Sequence, residues 1–235
     1  PLTFVDKDPG NLVQEAERII GIIKNDVYND CETVGTTEAS FADEAMPYFR
    51  QMAEALLKTR AYAGDTLSFS VEQATADFAN GKYPMYVAIT AKYAVISQNN
   101  PDLKFTLVPY PNPVSDEQSL PINIDIAYGV SSKSEHQEEA KKFIEFLSRP
   151  EIYQMVADEE GTPPVIEGVN YNIEPLKQIK DTIDNGNTFL TRVNFWPSGW
   201  RSEWSVYVQQ LISDKDVDNF LAETDRICKE KYTQQ

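Results

Sequence analysis

Apolar residues recur every three or four positions along most of the chain, which is the spacing of one face of an α-helix. The clearest case follows Asp8 and Pro9, a favoured cap and first-turn pair, and its apolar positions are Val13, Ala16, Ile19, Ile20 and Ile23. A second long helix is predicted over Ala42–Arg60, with Pro47 tolerated in its first turn. The same periodicity predicts further helices near residues 71–80, 135–147, 150–160, 176–185, 200–212 and 217–228.

The stretch Phe78–Pro111 organises the rest of the chain, because it reads as helix, strand, helix and strand in succession. Gly81 stands just past the first helix as a left-handed stop. The strand Met85–Ile89 begins after Pro84 and is apolar on both faces, as a strand covered by helices would be. A second strand is predicted at Lys104–Val108. This order predicts an α/β half-unit, a class of fold that binds ligands at the ends of its strands.

Two further segments read as strands of the same α/β class. Leu2–Val5 reads as a short strand that is already inside a fold, so we expect the chain to be a fragment of a longer protein. In Pro121–Ser131 the isoleucines at positions 122, 124 and 126 alternate with Asn123 and Asp125. This alternation predicts a strand with one buried face.

Composition narrows the class of protein. The chain has 235 residues, of which 41% are hydrophobic, so it can bury a core as one large domain or two small ones. Its formal net charge of −16 argues against nucleic acid or an anionic membrane as a partner, since both need a cationic surface. No apolar run approaches the ~20 residues that span a bilayer. Cys31 and Cys228 are too far apart for a local metal motif, and whether they pair stays open.

Motifs for catalysis and metal binding are missing from the sequence. It has no glycine-rich phosphate loop, no Gly-X-Ser-X-Gly, no His-Glu-X-X-His and no Cys-X-X-Cys. The single histidine, His136, argues against a Ser-His-Asp triad and against a histidine-rich metal site. A carboxylate pair could still act on glycosides, but 37 acidic residues do not single one out. We therefore expect no enzyme activity, no catalytic residue, no metal and no cofactor.

The three tryptophans all fall between Trp196 and Trp204, around a Pro-Ser-Gly turn where a helix begins. One interpretation is a ligand platform: an aromatic plane packs against the C–H face of a sugar ring, and Arg201 and Glu203 bind its hydroxyl groups. The other is core packing, because Trp200 and Trp204 are one helical turn apart and one of them can face inward. We carry Trp196, Trp200, Arg201 and Glu203 forward as candidate ligand-binding residues.

Two more candidate ligand contacts lie near predicted strand ends. Tyr93 follows the strand Met85–Ile89, where the backbone turns at the edge of the sheet. Asp125 is a polar residue between apolar neighbours on the strand Pro121–Ser131. Such a residue is usually the solvent-facing member of the alternation, and occasionally it binds a ligand.

Several motifs occur in an order that is typical of one protein family. They are PLTFVDKD at Pro1–Asp8, FANGKYPMY at Phe78–Tyr86, FTLVPYP at Phe105–Pro111, GVS at Gly129–Ser131, AKKFIEFL at Ala140–Leu147, GTPP at Gly161–Pro164, and the closing segment Trp200–Lys231. In this order the sequence resembles the extracellular solute-binding proteins of bacterial ABC importers, in the carbohydrate-binding branch that includes maltose-binding protein. The resemblance extends over essentially the whole chain.

The resemblance implies an α/β fold that is the C-terminal lobe of a two-lobed, periplasmic-binding-protein-like (type II) fold, with part of the N-terminal lobe. Residues 1–120 and 164–235 would form the C-terminal lobe. Residues 121–163 would be a crossing strand and helices that belong to the N-terminal lobe. The first half of such a protein, with its signal or lipoprotein leader, would be absent from this fragment.

The implied function is that of the extracytoplasmic substrate-binding component of an ABC transporter, periplasmic or a cell-surface lipoprotein. It would bind a sugar or oligosaccharide for uptake and deliver it, as a monomer, to the membrane permease subunits. After the Met85 strand the family usually has Gly-X-Trp, with the Trp stacking on sugar, whereas this sequence has ITAKY at Ile89–Tyr93. Tyr93 is thus a shifted substitute, and no particular sugar is implied.

Three alternatives remain open from the sequence. One is a binding protein for a peptide or another small polar solute. A second is a glycan-active enzyme that uses a carboxylate pair, and such an enzyme would turn over oligosaccharides instead of binding them unchanged. The third is a structural interaction module, which would need an exposed apolar patch and no cleft.

Overall fold

A computed structural model describes residues 2–24, 45–63, 66–124, 127–191 and 196–232. In these residues the helices are α1 (Pro9–Ile23), α2 (Met46–Arg60), α3 (Val71–Ala79), α4 (Lys92–Asn99), α5 (Gln137–Leu147), α6 (Pro150–Glu160), α7 (Glu174–Asp184), α8 (Trp200–Asp214) and α9 (Val217–Tyr232). The strands are β1 (Leu2–Thr3), β2 (Met85–Tyr86), β3 (Leu120–Ile122) and β4 (Thr188–Leu190). The order of helices and strands confirms the α/β class that the sequence predicted.

Local signals fix the helix ends where the sequence placed them. The Asp8 carboxylate accepts a hydrogen bond from the Gly10 N–H at 2.7 Å and caps α1, as predicted. The Ser70 hydroxyl accepts from the Gln73 N–H at 3.3 Å and caps α3 in the same way. Gly81 and Gly161 end α3 and α6 with φ of 72° and 69°, the left-handed conformation that glycine adopts without steric strain.

Both sheets are small and parallel. In the first, Leu2 pairs with Met85 and Thr3 with Tyr86. In the second, β3 pairs with β4 over Leu120–Ile122 and Thr188–Leu190. The paired strands are far apart in sequence and are joined by helical segments, as parallel pairing requires.

The strands are shorter and more exposed than predicted. β2 covers only Met85–Tyr86 of the predicted Met85–Ile89, and the Met85 side chain is 56% exposed. The predicted strand Lys104–Val108 does not form. In the described part of the chain no neighbouring strand pairs with this segment, and a strand is stable only where it has a partner.

The main core lies between helices α1, α2, α8 and α9. Its largest fully buried side chains are Trp200, Trp204, Phe49 and Phe220. A smaller cluster forms around α7, where Ile173, Leu176 and Ile179 are buried and the partly buried side chains of Tyr93, Leu107, Leu120, Tyr171 and Ile183 pack against them.

Helices α5 and α6 do not bury the apolar faces predicted for them. α5 has no buried residue, and Phe143 is 59% exposed. Met155 of α6 is 68% exposed. Of the described part of the predicted strand Pro121–Ser131, only Pro121 and Ile122 belong to β3, and Ile122 and Ile124 are 44% and 68% exposed, so the predicted buried face does not form there. Asp125 and Ile126 lie outside the described residues. The amphipathic spacing is present in both helices, but the described segments cover these faces only in part: Ile152 and Val156 are half-buried, and Ala157 is buried.

Candidate functional site

Strands β1 and β2 run parallel, so both end at the same edge of their sheet. We call this the carboxyl edge: it comprises Phe4–Asp8, which follow β1 and lead into α1, and Val87–Ala91, which follow β2 and lead into α4. Helix α3 reaches β2 through the tight turn at Gly81, so it runs back along the strand and begins at the same edge. The first turns of α1, α3 and α4 are therefore gathered at the carboxyl edge.

An open depression of about 290 Å³ lies between the starts of α1 and α3 at the carboxyl edge. It is lined by Lys7, Asp8, Ser70, Val71 and Glu72. An ammonium group, two carboxylates and a hydroxyl group thus present both hydrogen-bond donors and acceptors. The Glu72 N–H and the Ser70 hydroxyl hold the pKa of the Glu72 carboxyl below its usual range, so this group is ionised at neutral pH. Such a mixed set of groups suits a neutral polar solute better than a strongly charged one.

A buried ion cluster lies behind this depression. The Arg60 Nε and Nη2 donate to the two carboxylate oxygens of Asp6 at 3.0 and 2.6 Å, and its Nη1 and Nη2 donate to Glu15 at 2.8 and 2.6 Å. The guanidinium carbon lies 4.1 Å from the centroid of the Phe4 ring, and the Tyr110 hydroxyl donates to Glu15. Burial by itself would lower the pKa of Arg60, but Glu15 and Asp6 raise it above its ordinary value, so the guanidinium stays charged.

The backbone of the carboxyl edge is tied to two other elements. The Asp6 N–H donates to the Thr66 carbonyl oxygen at 3.2 Å, four residues before the cap of α3. From α8, the Gln209 side-chain amide donates to the carbonyl oxygens of Asp6 and Lys7 at 3.0 and 3.3 Å. The chain between β1 and α1 is thereby fixed on both sides.

Trp200, one of the predicted stacking residues, is buried beside the other two tryptophans. Its side chain is 1% exposed, and its ring centroid lies 3.6 Å from that of Trp196 and 4.9 Å from that of Trp204. Trp204 is fully buried and donates from its indole nitrogen to the Thr224 hydroxyl at 2.9 Å. Trp200 therefore packs in the core and offers no free face to a sugar ring. Trp196 is half-buried against the same core.

Arg201 and Glu203 lie beside the tryptophans, as predicted, but both are engaged in ion pairs within the chain. The Arg201 Nε donates to the Glu17 carboxylate at 3.0 Å. Glu203 accepts from Arg226 at 2.8 Å and pairs with Lys231 at 3.3 Å, which joins the start of α8 to α9. These contacts hold the helices together, and they occupy atoms that the sequence had assigned to hydroxyl binding.

Tyr93 is not brought to the tryptophans. Tyr93 is in the first turn of α4, where it packs with the smaller cluster around α7 and against Phe105 at 5.9 Å between ring centroids. A Cβ atom at Gly161 would come within 2.8 Å of the Tyr93 ring, so this tyrosine also touches the end of α6. Asp125 lies outside the described residues.

The residues that line the depression were visible in the sequence only as structural signals. Asp8 and Ser70 were predicted as helix caps, and both are. Nothing local indicated that they would line the same depression. That placement follows from the parallel pairing of Leu2–Thr3 with Met85–Tyr86, which is a contact between distant segments.

A metal site and a membrane-spanning helix are both absent from the part of the chain that the structure describes. It contains no group of three or more His, Cys, Asp or Glu side chains arranged to hold a metal ion. None of the described helices combines the length and the apolar character needed to cross a bilayer.

Comparison with known proteins identifies a family whose sequence model matches this chain. The sequence model of the family described as bacterial extracellular solute-binding protein matches residues 23–186. A search of the curated proteins found no match. Residues 23–186 include β2, β3 and α2–α7 and exclude β1 and the closing helices α8 and α9.

Solved structures share the fold over the whole chain. A sugar transporter from Bacillus licheniformis in complex with stachyose has a TM-score of 0.71 and 21% identity, covering 100% of this chain and 60% of that chain. The SBP RafE in complex with raffinose has a TM-score of 0.81 and 16% identity, covering 99% and 61%. A chitin oligosaccharide binding protein has a TM-score of 0.74 and 15% identity, covering 99% and 60%. The chain thus spans about three fifths of the length of these structures.

Proposed function

This chain belongs to the family of bacterial extracellular solute-binding proteins, and from that membership we propose that it binds a sugar or oligosaccharide as the substrate-binding component of an ABC importer. The observation that carries the proposal is that the three solved structures described above are named for stachyose, raffinose and chitin oligosaccharide. The proposed role is reversible binding without turnover, and no cofactor takes part.

The depression at the carboxyl edge is the proposed point of contact with the solute. A sugar hydroxyl group both donates and accepts hydrogen bonds, so it can use the Lys7 ammonium as donor and the Asp8 or Glu72 carboxylate as acceptor. Each lining group is held on a first turn of α1 or α3 or just before it, which limits the entropy lost on binding. Of the aromatic residues predicted from sequence, Trp196 and Tyr93 are only partly buried, and both stay proposed ligand contacts.

The partners and location follow from the same proposal. The protein would act outside the cytoplasmic membrane, in the periplasm or as a cell-surface lipoprotein, and would pass its sugar to permease subunits as a monomer. We also propose that residues 1–120 and 164–235 form the lobe that carries the depression. Residues 121–163 would belong to the second lobe, which is consistent with the uncovered apolar face of α5.

Calorimetry on the full-length protein with raffinose, stachyose and chitotriose tests the proposal. We expect at least one sugar to bind and to be recovered unchanged. At a ligand concentration of 100 Kd, the stability gained should be about 2.7 kcal/mol, which raises the melting temperature in a thermal-shift assay.

Two controls make the outcome decisive. Lys7→Ala together with Glu72→Ala should weaken sugar binding, because both exposed side chains line the depression. Lys177→Ala together with Glu174→Ala also removes one exposed lysine and one exposed glutamate, here on α7 and away from the depression, and should leave binding unchanged. Binding of trialanine but of none of the sugars would contradict the proposal, and so would hydrolysis of an oligosaccharide.

A further inference from the structure

Asp6 uses every polar atom that it has, although it lies one residue before the depression and contributes nothing to its lining. Its two carboxylate oxygens accept from Arg60, its N–H donates to Thr66, and its carbonyl oxygen accepts from Gln209. The residue is fully buried. A side chain in this position reaches no solute, but it fixes the backbone from which the lining residues project.

We propose that Arg60 and Asp6 form a positioning pair for the solute site: the guanidinium at the end of α2 holds the Asp6 carboxylate and thereby sets the placement of both walls of the depression. This inference rests on the proposed function for its binding consequence, although the placement itself can be tested without a ligand. Arg60 is a positioning residue because it touches none of the groups that line the depression.

The first wall is connected to Asp6 through the chain itself. Lys7 and Asp8 follow it directly, and the Gln209 amide holds the carbonyl oxygens of Asp6 and Lys7 together. Rotation of this segment would move the Lys7 ammonium and would also disturb the Asp8 cap of α1.

The second wall is connected to Asp6 through the Asp6–Thr66 backbone hydrogen bond. Thr66–Ser68 is a short 3₁₀ turn, and it leads within two residues to the Ser70 cap and within four to Glu72. The two walls therefore share one anchor, and the Arg60 guanidinium is the group that holds it.

The guanidinium suits this task better than an ammonium group would. Its planar fork makes two hydrogen bonds to Asp6 and two to Glu15, which defines the orientation of both carboxylates. The Phe4 ring covers the guanidinium, so the first residue after β1 also packs on the pair. A lysine could supply the charge but not the fork.

The experiment compares Arg60→Lys with a neutral triple variant that combines Arg60→Gln, Asp6→Asn and Glu15→Gln. The triple variant avoids the unpaired buried carboxylates that Arg60→Gln alone would leave, so it keeps the protein folded while removing the fork. Arg50→Gln is the matched control, because Arg50 is also on α2 but its pair with Asp218 is exposed and is not connected to the carboxyl edge. The probe is raffinose, followed by calorimetry on the full-length protein.

Amide hydrogen exchange measures how firmly the two walls are held, and it needs no ligand. In Arg60→Lys and in the triple variant we expect faster exchange in residues 7–12 and 69–74, unchanged exchange in α9, and raffinose affinity lower by roughly tenfold, or ~1.4 kcal/mol. Arg50→Gln should change neither quantity. These changes at both walls are what a shared anchor requires.

Opposite results would overturn the inference. If exchange rose equally in all helices, or if both Arg60 variants kept wild-type exchange at the two walls, the pair would contribute only stability. Unchanged raffinose affinity in a variant with loosened walls would also overturn it. If the wild-type protein bound no sugar, the proposed function would fail, and the exchange data alone would still decide whether Arg60 positions the walls.

Discussion

The pKa of Glu17 shows how strongly burial can change the ionisation of a single residue. This residue of α1 is 1% exposed, and its carboxylate accepts from the Arg201 Nε at 3.0 Å. Burial raises the pKa of Glu17 from 4.5 to about 7, although the positive charges of Arg201 and Arg18 oppose the shift. The folded protein therefore holds a proton on Glu17 at pH values where the unfolded chain has released it.

We predict that Glu17 makes the protein less stable as the pH rises through neutrality. Its folded pKa lies above its unfolded pKa, so the stabilisation is complete below pH 4.5 and is lost as the pH rises through about 7. The free energy of unfolding of the wild type, less that of Glu17→Gln, should fall by about 3 kcal/mol between pH 4.5 and 8. Urea unfolding at several pH values measures this difference.

Glu203→Gln is the control for this titration. Arg226 holds the pKa of Glu203 below its usual range, so this residue contributes stability that is lost only as the pH falls toward acid values. The wild-type-minus-variant difference should thus stay flat from pH 5 to 8 for Glu203. A flat difference for Glu17 over the same interval would contradict the prediction.

Trp200 shows what residue-level reasoning from sequence could not decide. The spacing of the tryptophans allows either a stacking role or a core role, because it does not say which face of α8 is covered. Trp200 packs against Trp204, whose ring in turn lies 5.9 Å from those of Phe49 on α2 and Phe220 on α9. The choice is made by contacts that are distant in sequence.

At the level of elements, α1 approaches β4 unusually closely at Gly21. A Cβ atom at this position would lie 2.4 Å from a ring carbon of Phe189, a distance that real side chains do not tolerate. Glycine inside a helix is less favourable than alanine by ~1 kcal/mol. The absence of a side chain is therefore what lets the second sheet pack against α1.

We predict that Gly21→Ala destabilises the protein by about 1 to 3 kcal/mol, because the new methyl group must displace the Phe189 ring. Chemical unfolding measures the loss. In a Phe189→Leu background the same substitution should cost less, since the clash is with the aromatic ring. Gly129→Ala, whose methyl group would meet no atom of the described residues within 4 Å, should be close to neutral. Equal losses in both backgrounds would show that Phe189 is not the cause.

Elements were predictable from sequence to the extent that their determinants are local. Caps and stops such as Asp8, Ser70, Gly81 and Gly161 act within a few residues, and the helices they bound were predicted closely. Strands need a partner, which the sequence does not name. For that reason Met85–Ile89 was predicted too long, and Lys104–Val108 was predicted as a strand that does not form.

At the level of the whole molecule, the candidate site is formed by segments that are distant in sequence, and most of it was therefore not predicted. The rule that ligands bind at strand ends directed attention to the strand at Met85, but the residues that line the depression come from two other segments, at Lys7 and at Ser70. Those segments meet only after β1 and β2 pair. A sequence motif can mark a helix cap, but it cannot report which caps will share an edge.

The number of buried apolar side chains differs between the helices of the molecule, and this predicts a difference in local stability. α1 contributes Leu12, Ala16, Ile19 and Ile20 to the main core, all fully buried, whereas α5 buries no residue. Helix hydrogen bonds open locally where few apolar contacts oppose opening. Amide exchange followed by mass spectrometry should therefore be faster in Gln137–Leu147 than in Pro9–Ile23 by roughly 100-fold or more. Equal protection of the two helices would mean that the exposed Phe143 face is covered in solution.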